Sequence, residues 1–469
     1  MEITYDAAKR SFIVSRPSRP IHQLAKELRL RPRQDGSVRM PDLVRVRQTL
    51  EAEAGPLSGS TGKQAPVRCV APALIRDDQK QHVAYHLARG QSSGVAAMLC
   101  NQVCCGKTLE AISVLATLRP KRALIICPLG VLGTWRAELK KWLSSALTAT
   151  ERKDVWSTTW GGAVALRHYE AMQARCHDIP PTDLLIVDEA HRCTNRSKYT
   201  KGTEAAIKKG RVPLAERVLT QAETIATAAR KSKHRVLMTG TEARNMLEDV
   251  WGLLRLLDPD RYSSFWTFAF CYFNVIENRF GMEIGPLLKE WEDAFQLEVG
   301  QWQTRSTRAE IFPELGFEAQ LVPIDLDEED QATMDEKFWG PWWKYHLSPL
   351  AAITWARQFA IWPDLAEPTD HIHLRGKLAY TIDRLRDLDC QAVVCSDFTT
   401  PLTVIEEELP AGETCKIVGG MSDKQRVEAR EGFEGGEYRV CLIHPQAGGE
   451  GIDLSVADRL IFLSLPWDL

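Results

Sequence analysis

The sequence has no long apolar stretch. Although 44% of its 469 residues are hydrophobic, none of them form the run of about 18 that a membrane-spanning helix needs. The amino terminus is polar and charged, which argues against a secretory signal peptide. We therefore expect a globular protein without membrane contact.

The chain also lacks paired cysteines and an excess of charge. Its 12 cysteines show no C-x-x-C spacing, which argues against a zinc site and against a disulfide framework. Unpaired thiols indicate a reducing intracellular compartment, cytoplasmic or nucleoid-associated. Because the formal net charge is only −3, any surface that binds nucleic acid has to be local.

The pattern of apolar residues changes several times along the chain, which is long enough for more than one core. Residues 1–53 predict a small basic α+β unit, and residues 54–66, rich in Gly, Ser and Pro, predict a linker. Apolar strands alternate with helical segments at 67–262 and again at 371–469, which indicates two α/β lobes with parallel sheets. Residues 263–370 lose this alternation, so we expect a mostly helical bridge between the lobes.

Nine short apolar runs carry the α/β interpretation. The predicted strands are residues 95–100, 123–127, 163–166, 184–187, 236–238, 392–395, 415–418, 440–443 and 460–463. Arginines crowd the unit at 1–53, which makes that unit a candidate for contacts with a DNA backbone. Surface arginines are common, however, and a purely structural unit is the alternative.

One of these strands ends in two carboxylates and a histidine. Residues 184–187 are aliphatic, as in a central strand of a parallel sheet, and Asp188, Glu189 and His191 follow. In open α/β sheets, ligands bind where the strands end at their carboxyl edge. Two adjacent acids repel each other unless a cation is present. The strand end is therefore either part of a ligand site or a plain polar turn.

An upstream loop favours the ligand site. Residues 101–108, Asn-Gln-Val-Cys-Cys-Gly-Lys-Thr, lie between a predicted strand and a predicted helix, where backbone N–H groups face phosphates. We expect Lys107 to bridge the β- and γ-phosphates of ATP and Thr108 to ligate Mg²⁺. Asp188 then holds the same Mg²⁺, directly or through water, and Glu189 polarises the attacking water.

Further residues complete the predicted nucleotide site. Cys105 and Gly106 belong to the loop around the phosphates, and Gln79, which precedes the sheet, is expected to read an adenine edge with its amide. A coupling set links the nucleotide to the next strand through hydrogen bonds. Its members are His191, Thr239, Gly240 and Thr241.

These motifs resemble the superfamily 2 helicases and, more narrowly, the Swi/Snf-type DNA translocases. Residues 188–191, Asp-Glu-Ala-His, match the DEAH box, and the Gly-Lys-Thr loop and Thr-Gly-Thr strand end match two further motifs of the first lobe. The resemblance extends over residues 70–469 and includes several additional segments. They are 126–129 with Trp135, 245–251, 257–259, 305–308, 396–398, 419–420 with Arg426, and 448–454.

The resemblance implies two RecA-like lobes that hydrolyse ATP with Mg²⁺ between them and translocate on double-stranded DNA. It also implies nucleotide contacts by Gly451 and Asp453, and DNA contacts by a further set of residues. That set is Arg305, Arg308, Ser396, Gly448 and Gly449. The alternatives are that Ser396 caps the following helix and that the glycines form a plain turn. Residues 1–53 resemble the accessory domain of HARP-type annealing helicases.

The sequence departs from the family pattern at four places. Asn101-Gln102 stand where Asp-Glu is usual, Cys104 replaces a glycine, and Glu242 replaces a proline. The sequence also stops at Leu469, before the motif VI arginines, which contribute about 10³–10⁵ in rate. A nucleotide-binding DNA clamp or scaffold with little turnover is therefore the alternative function. An RNA-directed helicase of the same superfamily is a third possibility that the motifs favour less.

Overall fold

The computed structural model describes most of the chain. The described residues are 2–6, 11–15, 17–35, 37–54, 75–90, 94–150, 152–209, 212–213, 216–240, 247–279, 281–314, 319–340, 347–368, 373–445 and 454–464. The chain forms two compact units, Met1–Gly316 and Phe317–Leu469. Every helix in the described ranges is too short or too polar to cross a membrane.

The first unit begins with a small α+β module of residues 2–54, here called the amino-terminal module. Its elements are β1 (Glu2–Asp6), β2 (Ser11–Ser15), α1 (Arg19–Glu27), β3 (Val38–Pro41) and α2 (Val44–Ala54). The three strands are antiparallel, in the order β1-β2-β3. Phe12 and Val14 of β2 pack with Ile21 and Leu24 of α1 in a core that continues into the larger part of the unit.

The centre of the first unit is an eight-stranded sheet, with a separate two-stranded hairpin. The strands are β4 (Ala96–Leu99), β5 (Arg122–Cys127), β6 (Leu147–Ala149), β7 (Val155–Thr158), β8 (Ala163–His168), β9 (Thr182–Val187), β10 (Ser232–Met238), the hairpin β11 (Phe273–Asn278) and β12 (Gly281–Leu287), and β13 (Gln303–Thr304). The large sheet has the order β13-β4-β10-β9-β5-β8-β7-β6. Its strands from β13 to β8 are parallel, and β7 and β6 are antiparallel additions.

Helices cover both faces of this sheet. They are α3 (Asp77–Arg89), α4 (Lys107–Leu118), α5 (Leu132–Leu143), α6 (Tyr169–Gln173), α7 (Lys201–Lys209), α8 (Gln221–Arg230), α9 (Val250–Leu257), α10 (Phe265–Tyr272), α11 (Glu292–Gly300) and α12 (Arg308–Ile311). Leu184 and Ile186 of β9 join one core cluster, whereas Leu185 and Val187 join the other. Since side chains alternate between faces along a strand, β9 is buried on both sides, as predicted.

The carboxyl ends of three neighbouring strands meet at one edge of the sheet. The register pairs Val187 of β9 with Leu237 of β10, and Met238 of β10 with Leu99 of β4. Consequently the loop after β4, the acids after β9 and the residues after β10 lie close together. This is the edge at which ligands bind in α/β sheets.

The segment 263–370, predicted as a helical bridge, is divided between the two units. Its first part contains α10 and α11 but also the hairpin β11–β12 and the strand β13, which pairs with β4. Most side chains of β11 are exposed, and β13 has two residues, so neither strand shows apolar alternation in the sequence. The boundary between the units falls at residues 316–317.

The second unit contains a smaller parallel α/β lobe. Its strands are β14 (Ala392–Cys395), β15 (Thr414–Ile417), β16 (Val440–Ile443) and β17 (Arg459–Phe462), in the order β15-β16-β14-β17. Its helices are α13 (Glu328–Met334), continued by a π-helical turn at Asp335–Trp339, α14 (Pro349–Ile361), α15 (Pro363–Ala366), α16 (Gly376–Asp387), α17 (Thr399–Glu408) and α18 (Asp423–Glu434). The predicted fold class, two parallel α/β lobes with a small amino-terminal α+β unit, is confirmed.

Candidate nucleotide site

Gly106 sets the bend of the loop between β4 and α4. Its φ of +85° lies in the left-handed region, and a Cβ atom at this position would lie 2.3 Å from Nε2 of Gln79. Only glycine fits here without moving the loop. Helix α4 starts directly afterwards at Lys107, so its first backbone N–H groups are available to an anion.

Lys107 places its ammonium group in the mouth of this loop. Nζ donates to the carbonyl oxygens of Asn101 at 2.7 Å and Gln102 at 3.3 Å. A Cβ atom at Gly240 would lie 4.0 Å from the same Nζ, so the end of β10 adjoins the loop. Both hydrogen-bond acceptors are neutral carbonyls, which leaves the lysine charge suited to phosphate oxygens.

Asp188 is the buried acid of the site, with 8% of its surface exposed. Its Oδ2 accepts a hydrogen bond from Nε1 of Trp135 at 2.8 Å, and its Oδ1 accepts the backbone N–H of Glu189 at 3.0 Å. Burial, followed by the charge of Glu189, raises the pKa of Asp188 to about 6. A carboxylate in such surroundings is stabilised by a nearby cation.

Glu189 occupies a constrained turn directly after this acid. Its backbone has φ +49°, in the left-handed region. The hydroxyl of Tyr169 donates to the backbone carbonyl oxygens of Asp188 at 2.7 Å and Glu189 at 3.2 Å. Burial raises the pKa of Tyr169, so the phenol stays protonated and keeps donating. Tyr169 therefore holds the backbone of the turn that carries both acids.

His191 connects the acids to the end of the neighbouring strand. Its Nδ1 lies 3.2 Å from Oε2 of Glu189 and 3.4 Å from Oγ1 of Thr239. Thr239 is fully buried, and its N–H donates to the carbonyl oxygen of Leu99. A continuous set of contacts thus joins the acid turn, β10 and β4, as the coupling role predicted for His191 and Thr239 requires.

Mg²⁺ fits the donor set at this edge. Thr108, in the first turn of α4, offers a hydroxyl, and Asp188 offers a carboxylate. Mg²⁺ in nucleotide sites is usually bound by one or two protein oxygens together with phosphate and water. No group of three or more His, Cys, Asp or Glu side chains in the described ranges, this edge included, is arranged to hold a metal ion, so an ion here would depend on the phosphates and water for its other ligands.

Gln79, in the first turn of α3, supports the loop between β4 and α4 through a hydrogen bond to its backbone. The buried Oε1 accepts the N–H of Arg76 at 3.0 Å, and Nε2 donates to the carbonyl oxygen of Gly106 at 3.1 Å. Arg76 also donates from Nη2 to the carbonyl oxygen of Cys105 at 2.8 Å and pairs with Asp78. Arg76 was not among the predicted residues, since a single arginine before a helix carries no motif.

Asn101 and Gln102 tie the loop to the chain that follows β13. Nδ2 of Asn101 donates to Oε1 of the buried Glu110 at 2.8 Å, and its Oδ1 accepts the N–H of Ser306 at 3.0 Å. Oε1 of Gln102 accepts the N–H of Arg308 at 2.7 Å. An aspartate at position 101 has no N–H for Glu110. The departure from the family pattern therefore has a structural role in this chain.

The predicted DNA-binding residues occupy different environments. Arg305 and Arg308 are exposed on the segment that Asn101 and Gln102 hold. Ser396, in the second unit, is fully buried and its Oγ accepts the N–H of Phe398 at 3.1 Å. This hydrogen bond is the one expected if Ser396 caps the helix that follows. A DNA contact by Ser396 stays a prediction.

Five predicted site residues lie outside the described residues. They are Thr241, Gly448, Gly449, Gly451 and Asp453.

Several arginines of the amino-terminal module are engaged within the first unit. Arg45 is buried, and it donates to the carbonyl oxygen of Cys271 at 2.7 Å and pairs with Glu27. Arg47 pairs with Asp42 at 2.9 Å. For these two residues the structural alternative holds rather than a contact with a DNA backbone.

Two family models match the chain. The SNF2-related domain matches residues 78–213, which include the phosphate loop and the acid turn. The helicase conserved C-terminal domain matches residues 376–469, in the second unit.

Curated relatives are similar over most of this chain. It is 23% identical to the ISWI chromatin-remodeling complex ATPase CHR17 of Arabidopsis thaliana, covering 90% of this chain and 40% of that protein. It is 22% identical to the chromodomain-helicase-DNA-binding protein 1 of Homo sapiens, covering 84% and 24%. The chain thus spans two fifths or less of the length of these relatives.

One solved structure similar to the chain is a Sulfolobus solfataricus SWI2/SNF2 ATPase core in complex with dsDNA. The TM-score is 0.40 at 18% identity, with 86% of this chain and 84% of that chain covered. At this TM-score, the match defines no residue-by-residue correspondence.

Proposed function

Because the chain belongs to the Swi/Snf-type group of superfamily 2, we propose that it is an ATPase that moves along double-stranded DNA. The observation that carries the ATPase part is the convergence of Lys107, Asp188 and the His191–Thr239 contact at one sheet edge. A loop that binds phosphates and a pair of acids for water activation are the two halves of a nucleotide hydrolase.

In this proposal, each residue has a defined task. Lys107 exchanges its two carbonyl acceptors for β- and γ-phosphate oxygens, and the N–H groups of the loop and of α4 cradle the same phosphates. Thr108 and Asp188 would hold Mg²⁺, which neutralises the charge that develops on the phosphates. Glu189 accepts a hydrogen bond from the attacking water and orients it.

The coupling residues report whether the γ-phosphate is present. Glu189 shares a contact with His191, and His191 contacts Thr239 of the adjoining strand. A change in the bonding of Glu189 therefore alters the bonding of β10. Gln79 holds Gly106 with one amide N–H and keeps its second N–H for an adenine acceptor.

Double-stranded DNA is the proposed polymer, held by its phosphates rather than by base edges. Exposed Arg305 and Arg308 lie on the chain that Asn101 and Gln102 connect to the phosphate loop, which supports a link between nucleotide state and DNA contact. We also propose that Ser396, Gly448 and Gly449 contact the DNA. Gly451 and Asp453 are proposed to contact the nucleotide. The proposed location is a reducing intracellular compartment, cytoplasmic or nucleoid-associated, for which the unpaired cysteine spacing is the support.

Two substitutions test the nucleotide roles. Lys107→Ala should weaken ATP binding at least about tenfold, since it removes the charge that faces the phosphates. Glu189→Gln should bind ATP normally and lose about 10²–10⁴-fold in turnover, as expected when a group that activates water is removed. Lys140→Ala, an exposed position on α5, is the matched control. Normal turnover in Glu189→Gln would contradict the proposed role of the acid.

A nucleotide-dependent DNA clamp with little turnover is the second candidate. It is favoured by the altered loop, in which Cys104 has φ +65° and the amides of Asn101 and Gln102 fix the loop to residues 306–308. In a clamp, ATP binding changes the affinity for DNA without hydrolysis. Turnover stimulated by duplex DNA would exclude the clamp, and competition between duplex DNA and duplex RNA for that stimulation would test the choice of polymer.

A further inference from the structure

The segment between the acid turn and α8 is basic in a chain that is slightly acidic. Residues 192–217 contain eight Lys or Arg and two Glu, whereas the whole chain has a net charge of −3. In the strand-helix alternation of the first unit this segment is an interruption. None of the roles proposed above for binding or hydrolysing ATP involves it.

Hydrogen bonds connect the backbone of this segment to residues 218–220, which lead into α8. The N–H of Thr200 donates to the carbonyl oxygen of Val218 at 3.0 Å, and the N–H of Val218 donates to Oγ1 of Thr203 at 3.1 Å. Oγ1 of Thr220 donates to the carbonyl oxygen of Ser197 at 2.7 Å. Because the backbone is already ordered, binding would have to order only the side chains.

Four basic side chains on this backbone have no acidic partner. Arg196, Lys198, Lys201 and Lys208 are exposed, and none of them forms an ion pair with a carboxylate in the described part of the chain. Lys201 and Lys208 lie seven residues apart on α7, which places both on one face of the helix. Thr203 of the same helix is buried, so the lysine face points away from the unit.

Two more observations show that positive charge is concentrated here. Nζ of Lys198 lies 5.3 Å from the ring centre of Tyr199, and the guanidinium of Arg217 lies 5.8 Å from it. A hydrogen bond from Arg217, followed by the charge of Lys198, lowers the pKa of the partly exposed Tyr199. Charges that stabilise a phenolate also stabilise a phosphate diester.

The basic segment is continuous with the coupling residue of the nucleotide site. An open groove of about 480 Å³ is lined by His191 together with Arg196 and Ser197, and Asp249 is its acidic member. Arg192, which directly follows His191, stacks on the ring of Tyr169 at 5.4 Å. The coupling residue His191 and the start of the basic segment therefore line the same groove.

We propose that residues 196–208 form a second DNA contact of the first unit, which binds phosphates of duplex DNA through Arg196, Lys198, Lys201 and Lys208. The inference rests on the proposed function and adds a surface that its motifs do not include. Contacts of this kind carry no base specificity and depend strongly on salt.

A charge-reversal triple variant tests the surface. Lys198→Glu, Lys201→Glu and Lys208→Glu together are compared with Lys121→Glu, Lys140→Glu and Lys233→Glu, a control with the same charge change at exposed positions. Lys121 and Lys233 lie at the amino ends of β5 and β10, away from the site. Binding of a fluorescent duplex DNA is measured across a salt series, and circular dichroism checks that each variant is folded.

The expected result is that the test variant loses affinity for duplex DNA and the control variant does not. Each phosphate contact contributes about 0.9 to the slope of log K against log salt, so the slope should fall by about 2 to 3. The dissociation constant should rise more than tenfold relative to the control, while ATP turnover without DNA stays unchanged. The neutral variant Lys201→Gln with Lys208→Gln should show a smaller loss in the same direction.

The outcomes separate this inference from the proposed function. If the unmodified chain binds duplex DNA and the test variant binds like its control, the second contact is refuted and the function stands. If the unmodified chain does not bind duplex DNA, the proposed function fails as well. An acidic polypeptide that binds the unmodified chain better than duplex DNA does would overturn the assignment of the partner.

Discussion

Gly106 shows how a residue without a side chain defines the nucleotide site. Its left-handed backbone and its proximity to the Gln79 amide make every other residue type strained here. Cys104, two positions earlier, also has a positive φ of +65°, where a side chain is strained. The loop thus keeps one of its two left-handed positions as glycine and tolerates strain at the other.

Gly106→Ala should disturb both stability and nucleotide binding. The left-handed backbone and the clash with Gln79 should lower the free energy of unfolding by about 1–2 kcal/mol, and ATP affinity should fall at least about tenfold. Gly133→Ala is the control, because a Cβ atom there meets nothing within 4 Å. Calorimetry and ATP titration measure both effects, and equal behaviour of the two variants would contradict the role of Gly106.

His86 should make the first unit sensitive to acid. It is 1% exposed and its Nε2 lies 3.1 Å from Oγ1 of Thr304 in β13. Burial, followed by the charges of Arg89 and His82, lowers the pKa of His86 to about 3. The unfolded chain, with an ordinary pKa of about 6.5, therefore binds the proton more readily between pH 6.5 and pH 3, and stability falls as pH falls.

The lowered pKa of His86 should make the free energy of unfolding about 2 kcal/mol smaller at pH 5 than at neutral pH. His86→Gln should remove that part of the pH dependence, so the difference in unfolding free energy between pH 7.5 and pH 5 should shrink by about this amount. Chemical denaturation at the two pH values measures it. His22→Gln, on the exposed side of α1, should leave the difference unchanged. An unchanged difference in His86→Gln would contradict a buried, neutral imidazole.

Helix α11 holds the amino-terminal module to the larger sheet through one acid. Glu298 is fully buried, and its carboxylate accepts from the N–H of Val44 at 2.5 Å and from the hydroxyl of Tyr272 at 2.7 Å. It also pairs with Arg261 at 2.7 Å. Val44 is the first residue of α2, so the carboxylate lies at the positive end of that helix.

Glu298→Gln should loosen the amino-terminal module. The substitution keeps the shape but leaves Arg261, whose side chain is 12% exposed, without its counter-charge, which should cost about 3–5 kcal/mol. Hydrogen exchange of α2 and urea unfolding measure the effect. Glu292→Gln, exposed on the same helix, should change stability by less than about 0.5 kcal/mol. Unchanged exchange in α2 would show that the acid does not hold the module.

Strands with an apolar pattern were predicted closely, and strands without one were missed. Residues 392–395 and 440–443 coincide with β14 and β16, because fully buried parallel strands are continuous apolar runs. Strand β13 was missed because its two residues are held by backbone bonds to β4 rather than by an apolar face. The hairpin β11–β12 was missed because most side chains of β11 are exposed and give no apolar alternation.

The sequence predicts those candidate-site residues that belong to recognisable motifs. The loop lysine, the acid pair and His191–Thr239 meet as the spacing indicates. Trp135, Tyr169 and Arg76 were not assigned these roles, since each acts through a contact with a residue distant in sequence. Such contacts depend on how the helices and loops pack around the sheet edge, and no local sequence pattern predicts that packing.

For the molecule as a whole, the proposal joins ATP turnover to duplex DNA. The phosphate loop is tied to Arg305–Arg308 through Asn101 and Gln102, and His191 lines the groove that leads to the basic segment. Two routes thus connect the nucleotide to candidate DNA contacts within the first unit. Hydrolysis should therefore respond to DNA.

ATP hydrolysis is measured with and without duplex DNA at low salt, for the unmodified chain and for Glu189→Gln. The proposal predicts that duplex DNA raises the turnover of the unmodified chain severalfold and that Glu189→Gln turns over at least about 10²-fold more slowly in both conditions. A turnover that is the same with and without DNA, or one that stays normal in Glu189→Gln, would contradict it.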